Sequence, residues 1–251
     1  MTRDLVLLGH GSHLNPDSSA PVYAHARRIR EQGLFDAVHV GFWKEEPSLA
    51  RCLDASDAED VTIVPLFISG GYFTEEVIPR EMGLGGPITR RDDVTIRYAR
   101  PVGDHPSLAE IILERAEELN ATGDEALVVL GHGTPRNPNS ERNIYRHADR
   151  VRESGRFPEV ATLFLDQAPD LGTVWSAVSA EDILVIPLFM ADGWHVGQTI
   201  PADLDLEGGT TEHDRRHLRF GAAVGTHPSL ARVIEELAGE ASRRSGGTQF
   251  F

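Results

Sequence analysis

The sequence predicts an α/β fold composed of two homologous, Rossmann-like domains, each built on a parallel sheet. The first observation behind this prediction is an internal repeat. The segment LVLLGHGS (5–12) recurs as LVVLGHGT (127–134), so that His10 and His132 lie 122 residues apart. The second observation is that short apolar runs without alternation are followed by amphipathic stretches along the chain. This succession is typical of buried parallel strands joined by crossover helices.

The repeat keeps its register over almost the whole chain. VPLFISGGYFTEEVIP (64–79) matches IPLFMADGWHVGQTIP (186–201), and VGDHPSLA (102–109) matches VGTHPSLA (224–231), at the same offset of 122 residues. A constant offset indicates an internal duplication with almost no insertions. We therefore predict domains at residues 1–122 and 123–251, with an active-site cleft between them. The polar segment ATGDE (121–125) is the predicted linker.

The apolar runs and amphipathic stretches also give the order of the elements. In the first half we expect strands near 4–8, 37–42, 60–67 and 94–99, and helices near 18–32, 47–55, 75–82 and 106–119. In the second half we expect strands near 126–130, 159–165, 182–189 and 217–222, and a last helix near 228–242. Each HPSL segment predicts a helix start, because proline in the first turn loses no hydrogen bond.

The composition excludes several classes of function. The formal net charge of −15 argues against nucleic acid as a partner and favours the attraction of small cations. Lys44 is the one lysine, and such an acidic, lysine-poor surface fits either a high-salt cytoplasm or a GC-rich genome.

No segment has a signal-peptide core or the roughly 18 apolar residues of a membrane span, so we expect a cytoplasmic protein without a membrane partner. Cys52, the one cysteine, is expected to be a small core residue.

Two histidines of the second half follow predicted strands, His132 after the first strand and His195 after the third. Parallel sheets bind ligands at the carboxyl ends of their strands, and these two ends lie close together if the strands are neighbours. Imidazoles bind divalent metals and, with an ordinary pKa of about 6.5, also accept protons at physiological pH. We therefore predict that His132 and His195 are the catalytic pair and bind a metal ion.

The first half departs from this pattern because Phe73 stands at the position of His195. His10 is then a third candidate metal ligand without a second imidazole, and we predict that the chemistry takes place in the second half. His10, Tyr72 and Phe73 are expected to form a wall of the cleft. In the second half, Asp192 is a candidate third ligand or a residue that orients a ligand.

Three motifs carry a family resemblance when they are taken together in one register. They are the GHG(S/T) turn after the first strand, the PLF strand that leads to a glycine-aromatic-histidine turn and Ile-Pro, and the VG-x-HPSLA helix start. Over nearly its whole length the chain resembles the CbiX-type sirohydrochlorin chelatases, which are relatives of the anaerobic cobaltochelatases and of ferrochelatase. The resemblance implies chelatase-type domains in which two histidines bind the incoming metal and help deprotonate a tetrapyrrole. These two positions correspond to His132 and His195.

The resemblance also implies what the protein binds. The substrates would be sirohydrochlorin and a divalent ion (Co²⁺, Fe²⁺ or Ni²⁺), with no permanently bound cofactor. The rings of Tyr72, Phe73 and Trp194 either pack on the macrocycle or fill the domain interface. Sirohydrochlorin carries eight carboxylates, and we expect Arg136 and Arg142 to bind them, with Arg80, Arg90 and Arg91 as further candidates. Solvated surface charge is the alternative for each of these arginines.

Two other functions are compatible with parts of the pattern. A metal-binding or metallochaperone module would use the same histidines without a macrocycle. A hydrolase with a histidine-centred site is disfavoured because the sequence has no G-x-S-x-G and no H-E-x-x-H motif. Imidazole suits cobalt, iron and nickel alike, so the sequence does not separate the three ions. A homo-oligomer is compatible with the sequence.

Overall fold

We describe residues 2–134 and 138–244 of the chain in a computed structural model. The chain forms two compact units, one of Met1–His105 together with Pro228–Phe251 and one of Pro106–His227. Each unit contains a five-stranded sheet flanked by helices, which confirms the predicted α/β fold with two similar sheets. No helix of this described part is both long enough and apolar enough to cross a membrane.

The first unit contains strands β1 (Arg3–Gly9), β2 (Ala37–Phe42), β3 (Asp60–Pro65), β4 (Ile88–Arg91) and β5 (Val94–Tyr98). Its helices are α1 (Ala20–Gln32), α2 (Ile78–Met82) and α7 (Leu230–Arg243). The strand order is β2-β1-β3-β5-β4. All neighbouring strands are parallel except β4, which is antiparallel to β5.

The second unit repeats this arrangement with strands β6 (Ala126–Gly131), β7 (Glu159–Phe164), β8 (Asp182–Pro187), β9 (Thr210–His213) and β10 (Arg216–Phe220). Its helices are α3 (Leu108–Glu118), α4 (Pro138–Glu153), α5 (Val174–Ala177) and α6 (Ile200–Asp203). The strand order is β7-β6-β8-β10-β9. Strand β9 is antiparallel to β10, and the other neighbouring strands of this sheet are parallel.

The central strands β1 and β6 are buried on both faces, as their continuous apolar runs predict. Leu5–Leu8 in β1 and Leu127–Leu130 in β6 have no exposed surface. Burial of one such aliphatic side chain contributes about 1.5–3 kcal/mol. Because both central strands are fixed in this way, the turns that follow them at Gly9 and Gly131 are held at a defined edge of each sheet.

The last helix of each sequence repeat belongs to the unit of the other repeat. Helix α3 follows β5 along the chain, yet Arg115 on α3 donates to the carbonyl oxygen of Ala223 at 2.9 Å within the second unit. Helix α7 follows β10, yet Glu240 on α7 forms an ion pair with Arg100 at 3.1 Å within the first unit. The predicted division at 122/123 follows the sequence repeats, whereas the compact units divide at 105/106 and 227/228. No local pattern in either helix specifies which sheet it covers.

The helix predicted near 47–55 is wrong. This segment is a series of turns, in which the N–H groups of Arg51 and Cys52 donate to the carbonyl oxygen of Ser48 at 3.0 and 2.9 Å. Leu49 and Cys52 are buried against the sheet. Two apolar residues at a spacing of three fit a turn as well as a helix, so the pattern was ambiguous here. Burial raises the pKa of the Cys52 thiol to about 12, in agreement with the predicted core position.

The antiparallel edge strands β4 and β9 were not predicted. Their sequences, ITRR and TTEH, are short and polar because edge strands are half exposed, so no apolar run marks them.

The segment predicted as a helix near 75–82 begins as a π-helical turn, Phe73–Val77, and continues as α2. The second unit has the same succession, a π-helical turn at His195–Thr199 followed by α6.

Glu125 anchors the start of β6. Its carboxylate accepts hydrogen bonds from the backbone N–H groups of Thr122 and Gly123, at 3.0 and 2.9 Å, and forms an ion pair with Arg219 at 2.7 Å. Burial by itself raises the pKa of this carboxyl, but the hydrogen bonds outweigh burial and lower the pKa to about 2. Glu125 is therefore ionised at neutral pH.

Candidate active site

The second GHG turn requires glycine on both sides of His132. A Cβ atom on Gly131 would lie 2.8 Å from Cγ1 of Ile144, because the end of β6 packs directly under α4. Gly133 has a φ of 75°, and a Cβ atom there would lie 2.6 Å from Cγ of Gln167. Gln167 in turn accepts a hydrogen bond from the N–H of Thr134 at 2.8 Å. The turn is thus fixed, and it leaves the His132 side chain exposed.

His132 and His195 lie together, as expected for residues that follow neighbouring strands. His132 follows β6, and His195 begins the π-helical turn that comes after β8, the strand paired with β6. The centroids of the two imidazole rings are 5.1 Å apart, with the ring planes at 82°. Both side chains are exposed. Two imidazoles in this arrangement can bind one divalent ion from solvent.

Asp166 is a third polar side chain at this place, and it was not among the predicted site residues. Its backbone N–H donates to the carbonyl oxygen of His132 at 3.0 Å, and its Oδ2 lies 3.2 Å from Nδ1 of His132. Nδ1 also lies 3.1 Å from the carbonyl oxygen of Gly133. With its proton on Nδ1, His132 keeps the lone pair of Nε2 for a metal ion. Asp166 could have been found, because it follows β7, the other neighbour of β6.

A pocket of about 310 Å³ adjoins the two residues His195 and Asp166. Its lining is mixed, with Thr199 and Asp203 beside the apolar Leu165 and Leu204. The candidate ligand Asp192 does not line this pocket. Instead, one of its carboxylate oxygens accepts a hydrogen bond from the N–H of Ala223 at 2.6 Å, which ties the turn before His195 to the segment after β10. Among the described residues, no group of three or more His, Cys, Asp or Glu side chains is arranged to hold a metal ion.

The equivalent place in the first unit is occupied differently. Phe73 lies in an aromatic cluster, with ring centroids 5.9 Å from His10, 5.7 Å from Trp43 and 5.1 Å from Phe67. The residue equivalent to Asp166 is Lys44, whose N–H donates to the carbonyl oxygen of His10 at 2.9 Å. The first unit therefore combines one imidazole with a benzene ring and an ammonium group.

The residues predicted to bind the substrate have different environments. Tyr72 and Trp194 are exposed at 63% and 68%, which is unusual for large aromatic side chains. Phe73 is partly buried in its aromatic cluster. Arg142 is exposed on α4, and Arg136 lies outside the described residues.

The further candidate arginines also differ among themselves. Arg91 donates to the carbonyl oxygens of Met82 and Gly83, at the end of α2, so its guanidinium has a structural role. Hydrogen bonds with Glu81 and Tyr72 raise the pKa of Arg80. Arg90 is exposed.

Comparison with known proteins identifies the family. The family model CbiX matches residues 4–119 and again residues 126–241. The chain belongs to the CbiX family. The two matches coincide with the two sequence repeats, and this confirms the duplication read from the 122-residue offset.

Some known relatives match nearly the whole chain and others about half of it. A protein of Halobacterium salinarum named "Probable sirohydrochlorin cobaltochelatase" is 44% identical over 270 residues, covering 96% of this chain and 92% of its own length. A "Sirohydrochlorin cobaltochelatase" of Methanopyrus kandleri is 33% identical and covers 48% of this chain but 98% of its own length. A multi-domain protein of Deinococcus radiodurans, described as structurally similar to chelatases, is 30% identical with a TM-score of 0.80. The match covers 100% of this chain and 57% of that one.

Proposed function

We propose that this CbiX-family protein inserts a divalent metal ion into sirohydrochlorin, with cobalt as the preferred ion and ferrous iron or nickel as alternatives. The observation that supports this proposal best is the pair of exposed imidazoles, His132 and His195, with ring centroids 5.1 Å apart. The pair lies in a chain whose relatives are named for this reaction. We extend the predicted site by Asp166, whose carboxylate lies 3.2 Å from His132.

The reaction requires a site that binds a metal ion and then releases it. A divalent ion enters the macrocycle while two pyrrole N–H protons leave, so that one cation is exchanged for two protons. His132 and His195 would first bind the ion through neutral imidazole nitrogens. When the ion moves to the pyrrole nitrogens, the same imidazole lone pairs are free to accept the departing protons. Asp166 would stabilise the positive charge at His132 in both stages, first that of the bound ion and then that of the protonated imidazole.

The two remaining groups of predicted residues would bind the macrocycle. The exposed rings of Tyr72 in the first unit and of Trp194 in the second each offer flat apolar surface to a tetrapyrrole, and Phe73 lies next to Tyr72 along the chain. Arg142, together with Arg136, would bind carboxylate side chains of sirohydrochlorin through bidentate hydrogen bonds. These assignments follow from the chemistry of the substrate, which is flat and strongly anionic.

The proposal is tested by an anaerobic absorbance assay of sirohydrochlorin with Co²⁺, Fe²⁺ and Ni²⁺, with and without protein. We expect faster insertion of at least cobalt by the wild-type protein and little acceleration by His132→Ala. His217→Ala is the matched control, because His217 is an exposed histidine of the same unit and pairs with Glu212 outside the site. If the protein binds Co²⁺ but accelerates no insertion, it is a metal-binding module and the proposal is refuted.

A further inference from the structure

Lys44 occupies the position in the first unit that Asp166 occupies in the second, and it is the only lysine in the 251-residue sequence. The N–H of Lys44 donates to the carbonyl oxygen of His10 at 2.9 Å, and the N–H of Asp166 donates to the carbonyl oxygen of His132 at 3.0 Å. The two side chains therefore leave the backbone at equivalent points beside equivalent histidines. The side chain of Lys44 is positively charged, and that of Asp166 is negatively charged.

The backbone frame around the two positions is the same. The N–H of Ser12 donates to Glu45 at 3.0 Å, just as the N–H of Thr134 donates to Gln167 at 2.8 Å. The first unit thus keeps the turn and the histidine of the second unit. It replaces the carboxylate by an ammonium group and the second imidazole by the ring of Phe73. Both replacements remove a group that binds cations.

The ammonium group of Lys44 is available to a ligand. Its nitrogen lies 5.4 Å from the ring centroid of Trp43, and no carboxylate of residues 2–134 or 138–244 lies within ion-pairing distance of it. The adjacent carboxylates are engaged elsewhere, because Glu45 accepts from Ser12 and Glu46 accepts from the N–H of Ser48 at 2.9 Å. Lys44 itself is exposed. An exposed ammonium beside an aromatic surface can bind a carboxylate that is attached to a flat ring.

We propose that the place in the first unit equivalent to the metal site is a carboxylate-binding site. Lys44 binds one acidic side chain of the tetrapyrrole there. Trp43 and Phe73, whose ring centroids are 5.7 Å apart, provide the apolar surface next to it. This inference rests on the proposed function for the identity of the ligand. It adds that the first unit binds an anionic group of the ligand, whereas the pair of imidazoles lies in the second unit.

The first experiment measures the Kd of metal-free sirohydrochlorin for the Lys44 variants at constant ionic strength. Because one charge-assisted contact is lost, we expect Lys44→Gln to bind about fivefold more weakly, and because repulsion is added, Lys44→Glu about twentyfold. Lys44→Arg should retain most of the affinity. Arg28→Gln is the matched control, since Arg28 is an exposed cation on α1 of the same unit. The affinity for Co²⁺ should not fall in any of these variants.

If Lys44→Gln and Lys44→Glu bind metal-free sirohydrochlorin with the same Kd as Arg28→Gln, the inference is refuted. The proposed function is then unaffected. If the wild-type protein neither binds nor metallates sirohydrochlorin, the proposed function fails instead. The two failures are therefore distinguishable.

The second experiment counts Co²⁺ ions per chain without any tetrapyrrole. We expect one ion for the wild-type protein and for Phe73→His, in which the ammonium group of Lys44 still repels a cation. We expect two ions for the double variant Lys44→Asp/Phe73→His, which has the same side chains as the second unit at these places. The ion bound at His132 and the circular dichroism spectrum report whether the variant is folded. The inference is overturned if the wild-type protein binds a second ion that His10→Ala removes. It is also overturned if the folded double variant gains no ion, because the two places are then not equivalent.

Discussion

His195→Phe places phenylalanine in the second unit at the position where the first unit has Phe73. The change removes one of two imidazoles whose ring centroids are 5.1 Å apart, and it leaves His132 and Asp166 in place. His195 is exposed, and aromatic rings already lie near His132, since Phe189 has its centroid 6.1 Å away. The substitution should therefore affect function far more than stability.

The expected magnitude follows from the two roles of the lost imidazole. A positioned proton acceptor contributes about a hundredfold to ten-thousandfold to a rate, and the lower end corresponds to about 3 kcal/mol of transition-state stabilisation. The loss of one metal ligand weakens ion binding in addition. We therefore expect at least a hundredfold slower insertion of cobalt, with a melting temperature close to that of the wild-type protein.

The assay is the anaerobic absorbance change of sirohydrochlorin at saturating Co²⁺, accompanied by circular dichroism and thermal melting. His10→Ala is the comparison, because His10 has Phe73 in place of a second imidazole and should cost much less activity. If His10→Ala, in a folded protein, slows insertion as much as His195→Phe does, the first unit takes part in the chemistry. Our assignment of catalysis to the second unit would then be wrong.

Three further changes test other parts of the structure. Asp166→Asn should weaken Co²⁺ binding about tenfold in a calorimetric titration, because a neutral amide replaces the charge beside His132, and unchanged affinity would exclude Asp166 from the site. Gly133→Ala should lower the melting temperature and the insertion rate together, because φ is 75° and the new methyl group meets Gln167; an unaffected protein would show that this turn is not rigid. Glu125→Gln should lose up to about 3 kcal/mol at pH 7, because the native pKa of about 2 lies below the usual value. This stabilisation is present above about pH 4.5 and is lost as pH falls through about 2, so denaturation curves of the wild type and the variant should converge in acid.

The parts of the fold that the sequence predicted are those with a strong local signal. Leu5–Leu8 and Leu127–Leu130 are continuous apolar runs, which are typical of strands buried on both faces. The convergence of His132 and His195 was expected if the first and third strands are neighbours, since each histidine lies in the segment that follows one of these buried runs. Edge strand β9 had no such signal, because TTEH is polar on both faces.

Other features depend on contacts between distant segments. Asp166 reaches His132 because β7 pairs with β6, and its place after a predicted strand identifies it only once that pairing is known. The unit to which α3 belongs could not be predicted from the sequence either, because its apolar stripe does not specify which sheet it covers. Its place in the second unit is fixed by contacts such as that of Arg115 with Ala223, more than a hundred positions further along the chain.

The exchange of the last helices sets an order for folding during synthesis. The second unit is one continuous stretch, Pro106–His227, and can be completed as soon as that stretch has left the ribosome. The first unit is synthesised earlier but needs α7, Leu230–Arg243, which follows the whole second unit along the chain. Its sheet therefore lacks α7 until the whole second unit and Leu230–Arg243 have been synthesised. A chain that stops shortly before Leu230 would contain every candidate metal-binding residue and still lack a complete first unit.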